Sequence, residues 1–248
     1  MIELGVDVSK WQGKMDWKKA ADAGAKFGII RAGSCDNITG ENYTDFQFER
    51  NSSEAHAFVR TGYYWYFRPN FNAEKQADYF TKLISTKVYN EPLAADFEFS
   101  GGRSPIEVCN AQLAFLKRLT SNGVLLSGGD IYTRTSFWNV AVAPHSDWKK
   151  YGLHIARYVL INSSDKPIMQ GPWSDGKFKI RDWSEWKRWQ FSADGNGRGK
   201  KYGAESDAID LNIQIVPNVS TPVPDNGTVQ MPKELALSIK DWISEALD

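Results

Sequence analysis

Apolar and polar positions along this chain follow two periods in turn, and the switch between them sets out the elements. Residues 3–8 alternate as a strand. Residues 16–24 read as a short helix, with Asp16 as N-cap and Gly24 just past its end. A strand is expected over 26–32, a helix over 43–59 and an aromatic strand over 62–67. Residues 72–85 place Ala73, Ala77, Phe80 and Ile84 at helical spacing. PLAADFEF, residues 92–99, is a further strand. Ser104-Pro105 opens a helix that runs to about residue 122, where Gly123 stops it. Strands over 124–132, 153–158, 188–192 and 208–215 complete the pattern.

That makes about eight strands, the first five separated by helical segments. Alternation of this kind predicts an α/β protein with parallel strands and right-handed crossovers. At 248 residues the natural candidate is an irregular (β/α) TIM-like barrel, with fewer helices in its last third. A doubly wound open sheet is the alternative, but no Gly-x-Gly-x-x-Gly follows the first strand. Residues 1–216 are thus expected to form the barrel domain. Residues 217–230 hold three prolines in PNVSTPVPDNGT and read as a linker. Residues 231–248 read as an amphipathic helix, with Leu235, Ile239, Trp242, Ile243 and Ala246 on one face. A lone helix of that length is marginal in water, so it is expected to pack on the barrel, self-associate or bind another protein.

PLAADFEF contains the first chemical signal. Leu93, Ala94, Ala95, Phe97 and Phe99 are apolar, while Asp96 and Glu98 share one face if the segment is a strand throughout. Asp7 ends the first strand and Asp210 lies in the last. In a barrel whose site lies at the strand C-termini, four carboxylates are expected to meet at one mouth. Clustered, partly buried carboxylates repel and retain protons. One can then act as a general acid while its neighbours stay ionised, the division of labour that glycosidic cleavage needs. Glu98, nearer the strand end and longer, is assigned the acid role; Asp96, one pleat deeper, orients the substrate or stabilises positive charge. The same acids suit a hard cation, but no metal or cofactor is expected: His56, His145 and His154 fall in separate elements, away from a zinc-type set. No Gly-x-Ser-x-Gly nucleophile elbow is present.

Charge narrows the partners. The chain carries 30 basic and 30 acidic residues and no basic block, which argues against nucleic acid. No stretch is long and apolar enough for membrane insertion, and the N-terminus does not read as a signal peptide. Two cysteines, Cys35 and Cys109, are expected as free thiols. Ten tryptophans fit either a large core or an aromatic groove. Trp173, Trp183 and Trp186 fall in the long stretch 162–186, where they either pin a loop or form a sugar-stacking wall.

Seven ordered motifs now share one resemblance: GVDVSKWQG, GYYWYFRP, LAADFEF, IYTRTSFW, HIARY, RWQFS and DAIDLN, spread over residues 3–215. Their order resembles that of family 25 glycoside hydrolases, the Chalaropsis-type lysozymes. The resemblance implies an irregular barrel that cleaves the β-1,4 bond between N-acetylmuramic acid and N-acetylglucosamine in bacterial peptidoglycan glycan strands. It implies Glu98 as catalytic acid and Asp96 as the partner acting with the substrate's own acetamido group. Asp7 and Asp210 become the other catalytic carboxylates, and Tyr64, Tyr132, Arg157 and Trp189 substrate-binding residues. Two positions depart from the family pattern. Trp65 stands where many members have histidine, and His154 where many have an apolar residue or tryptophan. A non-catalytic wall-binding protein and a chitinase-like glycosidase are the alternatives. The expected setting is the bacterial wall, reached from the cytoplasm of a phage-infected cell by holin release or as a virion component.

Overall fold

The structure is a computed structural model, and it describes residues 2–124, 130–159, 161, 165–177 and 179–216. Nine strands form one sheet: β1 (Ile2–Val8), β2 (Phe27–Cys35), β3 (Asn42–Thr44), β4 (Arg60–Tyr66), β5 (Ala94–Asp96), β6 (Asp130–Arg134), β7 (Gly152–Ala156), β8 (Arg188–Ser192) and β9 (Asp210–Ile215). The order β1-β9-β8-β7-β6-β5-β4-β2, with β1 paired back to β2, closes eight of them into a barrel. The irregular (β/α) barrel expected from the sequence is therefore the observed architecture. The linker expected over 217–230 and the helix expected over 231–248 lie outside the described residues, as do residues 125–129 of the strand expected over 124–132.

Helices α1 (Trp17–Asp22), α2 (Phe48–Glu54), α3 (Ala73–Ile84), α4 (Pro105–Ser121) and α5 (Thr135–Ala141) follow the first strands. Their starts are set by local chemistry. Asp16 accepts from the Lys19 amide at 3.1 Å, and Asn72 from the Lys75 amide at 2.8 Å. Each satisfies a backbone donor that the first helical turn leaves open. The Glu107 carboxylate accepts from the Ser104 amide at 2.9 Å and does the same for α4. Asn72→Ala should cost about 0.5–2 kcal/mol, read as a lower urea midpoint with an unchanged slope. An unchanged midpoint would remove the cap from the account.

The buried stripe of α3 (Ala77, Phe80, Ile84) meets the outward-facing side of β4, where Trp65 lies 5.9 Å from the Phe80 ring. Phe67, Phe97 and Phe115 join α4 to the same layer at centroid distances of 4.9–6.2 Å. Both cysteines are free and buried; burial pushes the Cys35 thiol up to about 11.

Two elements differ from expectation. Residues 43–59 are not one helix. They give the end of β3, then α2, then a 3₁₀ turn at Ala55–Ala57. Asp45 interrupts the run: its carboxylate accepts from the Lys10 amide at 3.1 Å and the Gln47 amide at 3.0 Å. Gly33 admits β3 beside β2, since a Cβ there would sit 2.1 Å from the Tyr43 carbonyl oxygen.

The second difference is direction. β1, β2 and β4 to β8 are parallel, but β9 is antiparallel to both β8 and β1. Residues 193–209 carry no crossover α-helix, only a 3₁₀ turn at Gly199–Tyr202. The chain therefore re-enters the barrel from the end at which β8 leaves it.

The lower barrel interior is polar. Arg188 is 2 % exposed and bonds Asp130 at 2.7 Å, Glu91 at 3.1 Å and Gln214 at 3.0 Å. Arg60 bonds Glu91 at 2.7 Å and pairs with Glu3. Nothing in the residue periodicity predicts this network, because its members come from six separate segments.

Candidate active site

Side chains alternate inward and outward along each strand, and the inward set at the upper end of the barrel builds a cavity. It encloses about 250 Å³ and is lined by Asp7, Asp96, Glu98 and Asp210 together with Arg31, Tyr64, Tyr132 and His154. All four carboxylates expected from the sequence meet there. Asp7 and Asp210 face each other in register across β1 and β9. Asp210 is the first residue of β9, so only the antiparallel direction of that strand brings it to the mouth. Asp96 is the last residue of β5. Glu98 lies two residues beyond the strand end. Its place therefore comes from the β5–α4 loop, a correction to the idea of one continuous strand over 92–99.

The electrostatics are those of a crowded acidic site. Burial is the largest influence on all four carboxyls and pushes each above the ordinary carboxylate range. Asp96 is raised further by Glu98, and its Oδ1 is buried without a partner. Asp210 is raised further by the charge of Asp7 and by a hydrogen bond with it. Asp7 is the better solvated partner in kind: its Oδ2 accepts from Gln190 and Asn212, both at 2.7 Å. The hydrogen bond between them raises Asp210 and lowers Asp7, so Asp210 is the more strongly raised of the two. Arg31, 9 % exposed, opposes the acids from β2; it donates to Tyr43 at 3.2 Å and lies 5.0 Å over the Tyr66 ring. Arg134 pulls Glu98 down, against burial and Asp7.

Raised carboxyls have a consequence for stability. Between the ordinary carboxylate range near pH 4 and their own raised values, they bind more protons folded than unfolded. Their contribution to stability therefore falls as pH rises through that window. Asp96→Asn should be more stable than the wild type at about pH 7.5, with the gap closing toward about pH 4.5. Thermal unfolding at the two pH values tests this; equal midpoints at neutral pH would contradict it.

The expected substrate-binding residues divide. Tyr64 and Tyr132 line the cavity, and Tyr132 donates to Gln190 Oε1 at 2.9 Å. Arg157 and Trp189 do not line it. Arg157 is turned to Asp175, with contacts of 2.7 and 3.0 Å that hold the Asp175 carboxyl down to about 2. Trp189 is fully buried, donates to the Arg157 carbonyl at 2.8 Å and stacks edge-on with Trp186 and Phe191. Strand parity explains both. His154 and Tyr158 face inward, so Arg157 faces away; Gln190 faces inward, so Trp189 faces the outer layer. Trp183 likewise packs on Trp138 at 4.9 Å and donates to the Tyr151 carbonyl, so it pins the long loop. The carboxylate cavity instead takes its aromatic rim from Trp11, Tyr66 and Tyr158. Trp11 and Tyr158 are 70 % and 57 % exposed, open faces on which a sugar ring can stack. Arg31, His154, Gln190 and Asn212 were not legible as site residues; parity within their motifs was the one available signal. Among the described residues, no group of three or more His, Cys, Asp or Glu side chains is arranged to hold a metal ion.

A closed barrel with clustered, raised carboxyls and an aromatic rim is a setting in which glycosidic bonds can be cleaved. The sequence profile of glycosyl hydrolases family 25 matches residues 6–200, and the chain belongs to that family. Lysozyme M1 of Streptomyces globisporus is 40 % identical over 78 residues, covering 31 % of this chain and 25 % of that protein. The Escherichia coli K12 protein YegX is 29 % identical over 142 residues, covering 53 % of this chain and 50 % of its own length. The matches therefore span a quarter to a half of these curated relatives. A bacterial lysozyme from Streptomyces coelicolor superposes with a TM-score of 0.65 at 25 % identity, covering 85 % of this chain and 90 % of that one. Among the described residues, no helix is long and apolar enough to cross a membrane.

Proposed function

We propose that the protein is a muramidase that hydrolyses the β-1,4 bond between N-acetylmuramic acid and N-acetylglucosamine in bacterial peptidoglycan. The observation that carries this reading is the meeting of Asp7, Asp96, Glu98 and Asp210 around one aromatic-rimmed cavity. The lysozyme names among the similar proteins support the choice of substrate.

In this reading Glu98 is the general acid. The acetamido carbonyl oxygen of the bound sugar attacks the anomeric carbon as Glu98 gives its proton to the leaving glycosidic oxygen. Glu98 then takes a proton from water as that water opens the cyclic intermediate, and net configuration is retained. Asp96 lies deeper and is without a hydrogen-bond partner at Oδ1. An acetamido N–H donated to it favours its charged form. That charge in turn strengthens the hold of Glu98 on its own proton, because the two acids titrate together. Substrate binding would thus load the proton onto the acid that uses it. Asp7, held by two amides, and its more strongly raised partner Asp210 complete the electrostatic wall. Tyr64 and Tyr132 shape the cavity, and Trp11 and Tyr158 stack on the glycan.

The site of action is the bacterial wall, and delivery as a phage lysin, by release from the host or on the virion, fits it. Mass spectrometry of digested walls tests the reading. Fragments ending in reducing N-acetylmuramic acid are expected. Fragments ending in reducing N-acetylglucosamine, or turnover of chitin oligomers alone, would replace it.

A further inference from the structure

His154 lies on β7, 2 % exposed, and lines the cavity. Its two ring nitrogens have different surroundings. Nε2 lies 2.7 Å from Asn212 Oδ1. Nδ1 is buried and has no partner.

The neighbouring bonds fix the tautomer. Asp7 Oδ2 receives two side-chain amides, Asn212 Nδ2 and Gln190 Nε2. Both amides turn their NH₂ groups toward that oxygen, 2.7 Å away in each case. Asn212 then presents its oxygen to His154, and Gln190 presents its oxygen to the Tyr132 hydroxyl. An amide oxygen cannot donate, so His154 Nε2 must carry the hydrogen. Burial and the nearby Arg188 charge disfavour a second proton on the ring. Nδ1 is left as a bare lone pair. The Tyr132 ring packs edge-on at 5.0 Å and supplies no hydrogen bond to it.

A buried acceptor without a partner costs about 1–3 kcal/mol, which a donor entering the cavity recovers. We propose that His154 is a positioning and specificity-determining residue: through Asn212 it orients the amide that holds Asp7, and through Nδ1 it accepts a hydrogen bond from an N–H or O–H of the bound N-acetylhexosamine. The second half rests on the glycan-cleaving reading above; the first half does not.

The test uses the full chain labelled with ¹⁵N at its three histidines, with His154→Gln assigning the signals. In the free protein, His154 is expected as the Nε2–H tautomer and non-titrating across about pH 5–8, where an ordinary histidine titrates near 6.5. On addition of tri-N-acetylchitotriose, the Nδ1 signal should move toward that of a hydrogen-bonded acceptor while the His56 and His145 signals stay. His154→Gln keeps a donor for Asn212 but lacks the ring acceptor, and should weaken chitotriose binding about tenfold. His154→Asn places an amide oxygen near the Nδ1 position and should recover part of that loss. An Nδ1–H tautomer in the free protein overturns the orienting role. An unmoved Nδ1 signal at saturation, or no chitotriose binding by the wild type, overturns the acceptor role. If walls are digested at a different bond, the muramidase reading fails while both outcomes for His154 still stand on their own measurements.

Discussion

Replacing Glu98 by glutamine should lower the rate of wall lysis by about 10²- to 10⁴-fold, the usual contribution of a general acid. Glutamine keeps the shape and removes only the transferable proton. Glycan binding should therefore survive, since Trp11, Tyr66 and Tyr158 at the rim are untouched. Turbidity loss of bacterial walls reads the rate, and co-sedimentation with the same walls reads the binding. The pH profile adds an independent check. Burial and Asp7 raise Glu98 above the ordinary carboxylate range, against the pull of Arg134 and Arg31. The wild type should then lose activity on the alkaline side as that raised proton is shed, and the residual activity of the variant should lack that limb. Equal lysis by wild type and variant would take the acid role away from Glu98.

The second large effect concerns stability. Arg188→Met should destabilise the fold by about 3–5 kcal/mol, because it leaves buried Asp130 without its counter-charge and takes one of two from Glu91. Asp130 is held by Arg188 at 2.7 Å and is already pushed upward by burial, while Glu91 would keep only Arg60 and Gln214. The group lies at the end of the barrel opposite the catalytic carboxylates, so the loss belongs to folding rather than to chemistry. Equilibrium urea unfolding measures it. The companion change Asp130→Asn in the Arg188→Met background should recover part of the loss by removing one stranded charge. If the single variant unfolds at the wild-type midpoint, the buried network is not what holds the lower barrel together.

Local pattern gave much of the fold. Helices α3 and α4 fall within a residue or two of their expected limits, because their caps and apolar stripes lie within a few positions in sequence. Strand β8 has the expected limits of 188–192. Where two influences competed, pattern failed. Residues 43–59 carry helical spacing, but Asp45 captures the Gln47 amide and the distant Lys10 amide and divides the run. Arg157 and Trp189 were placed in the right strands or at their ends and on the wrong face. A motif identifies which segment approaches the site, whereas the pleat decides which of two adjacent side chains reaches it.

What the amino-acid order determined by itself was the eight barrel strands, helices α1, α3 and α4, and the identity of the four acids. These are statements about neighbours in sequence, where capping and periodicity act. Tertiary structure alone decided three things. It reversed β9, because no crossover helix precedes it, and so turned Asp210 from a residue at a strand start into one facing Asp7 across a hydrogen bond. It gathered Arg188, Asp130, Glu91, Arg60 and Glu3 into a buried ion network from distant segments. It also set His154 against Asn212, leaving one ring nitrogen buried without a partner. Each depends on barrel closure, which brings together side chains far apart along the chain and takes them out of water, where one hydrogen-bond partner more or less decides where a proton resides.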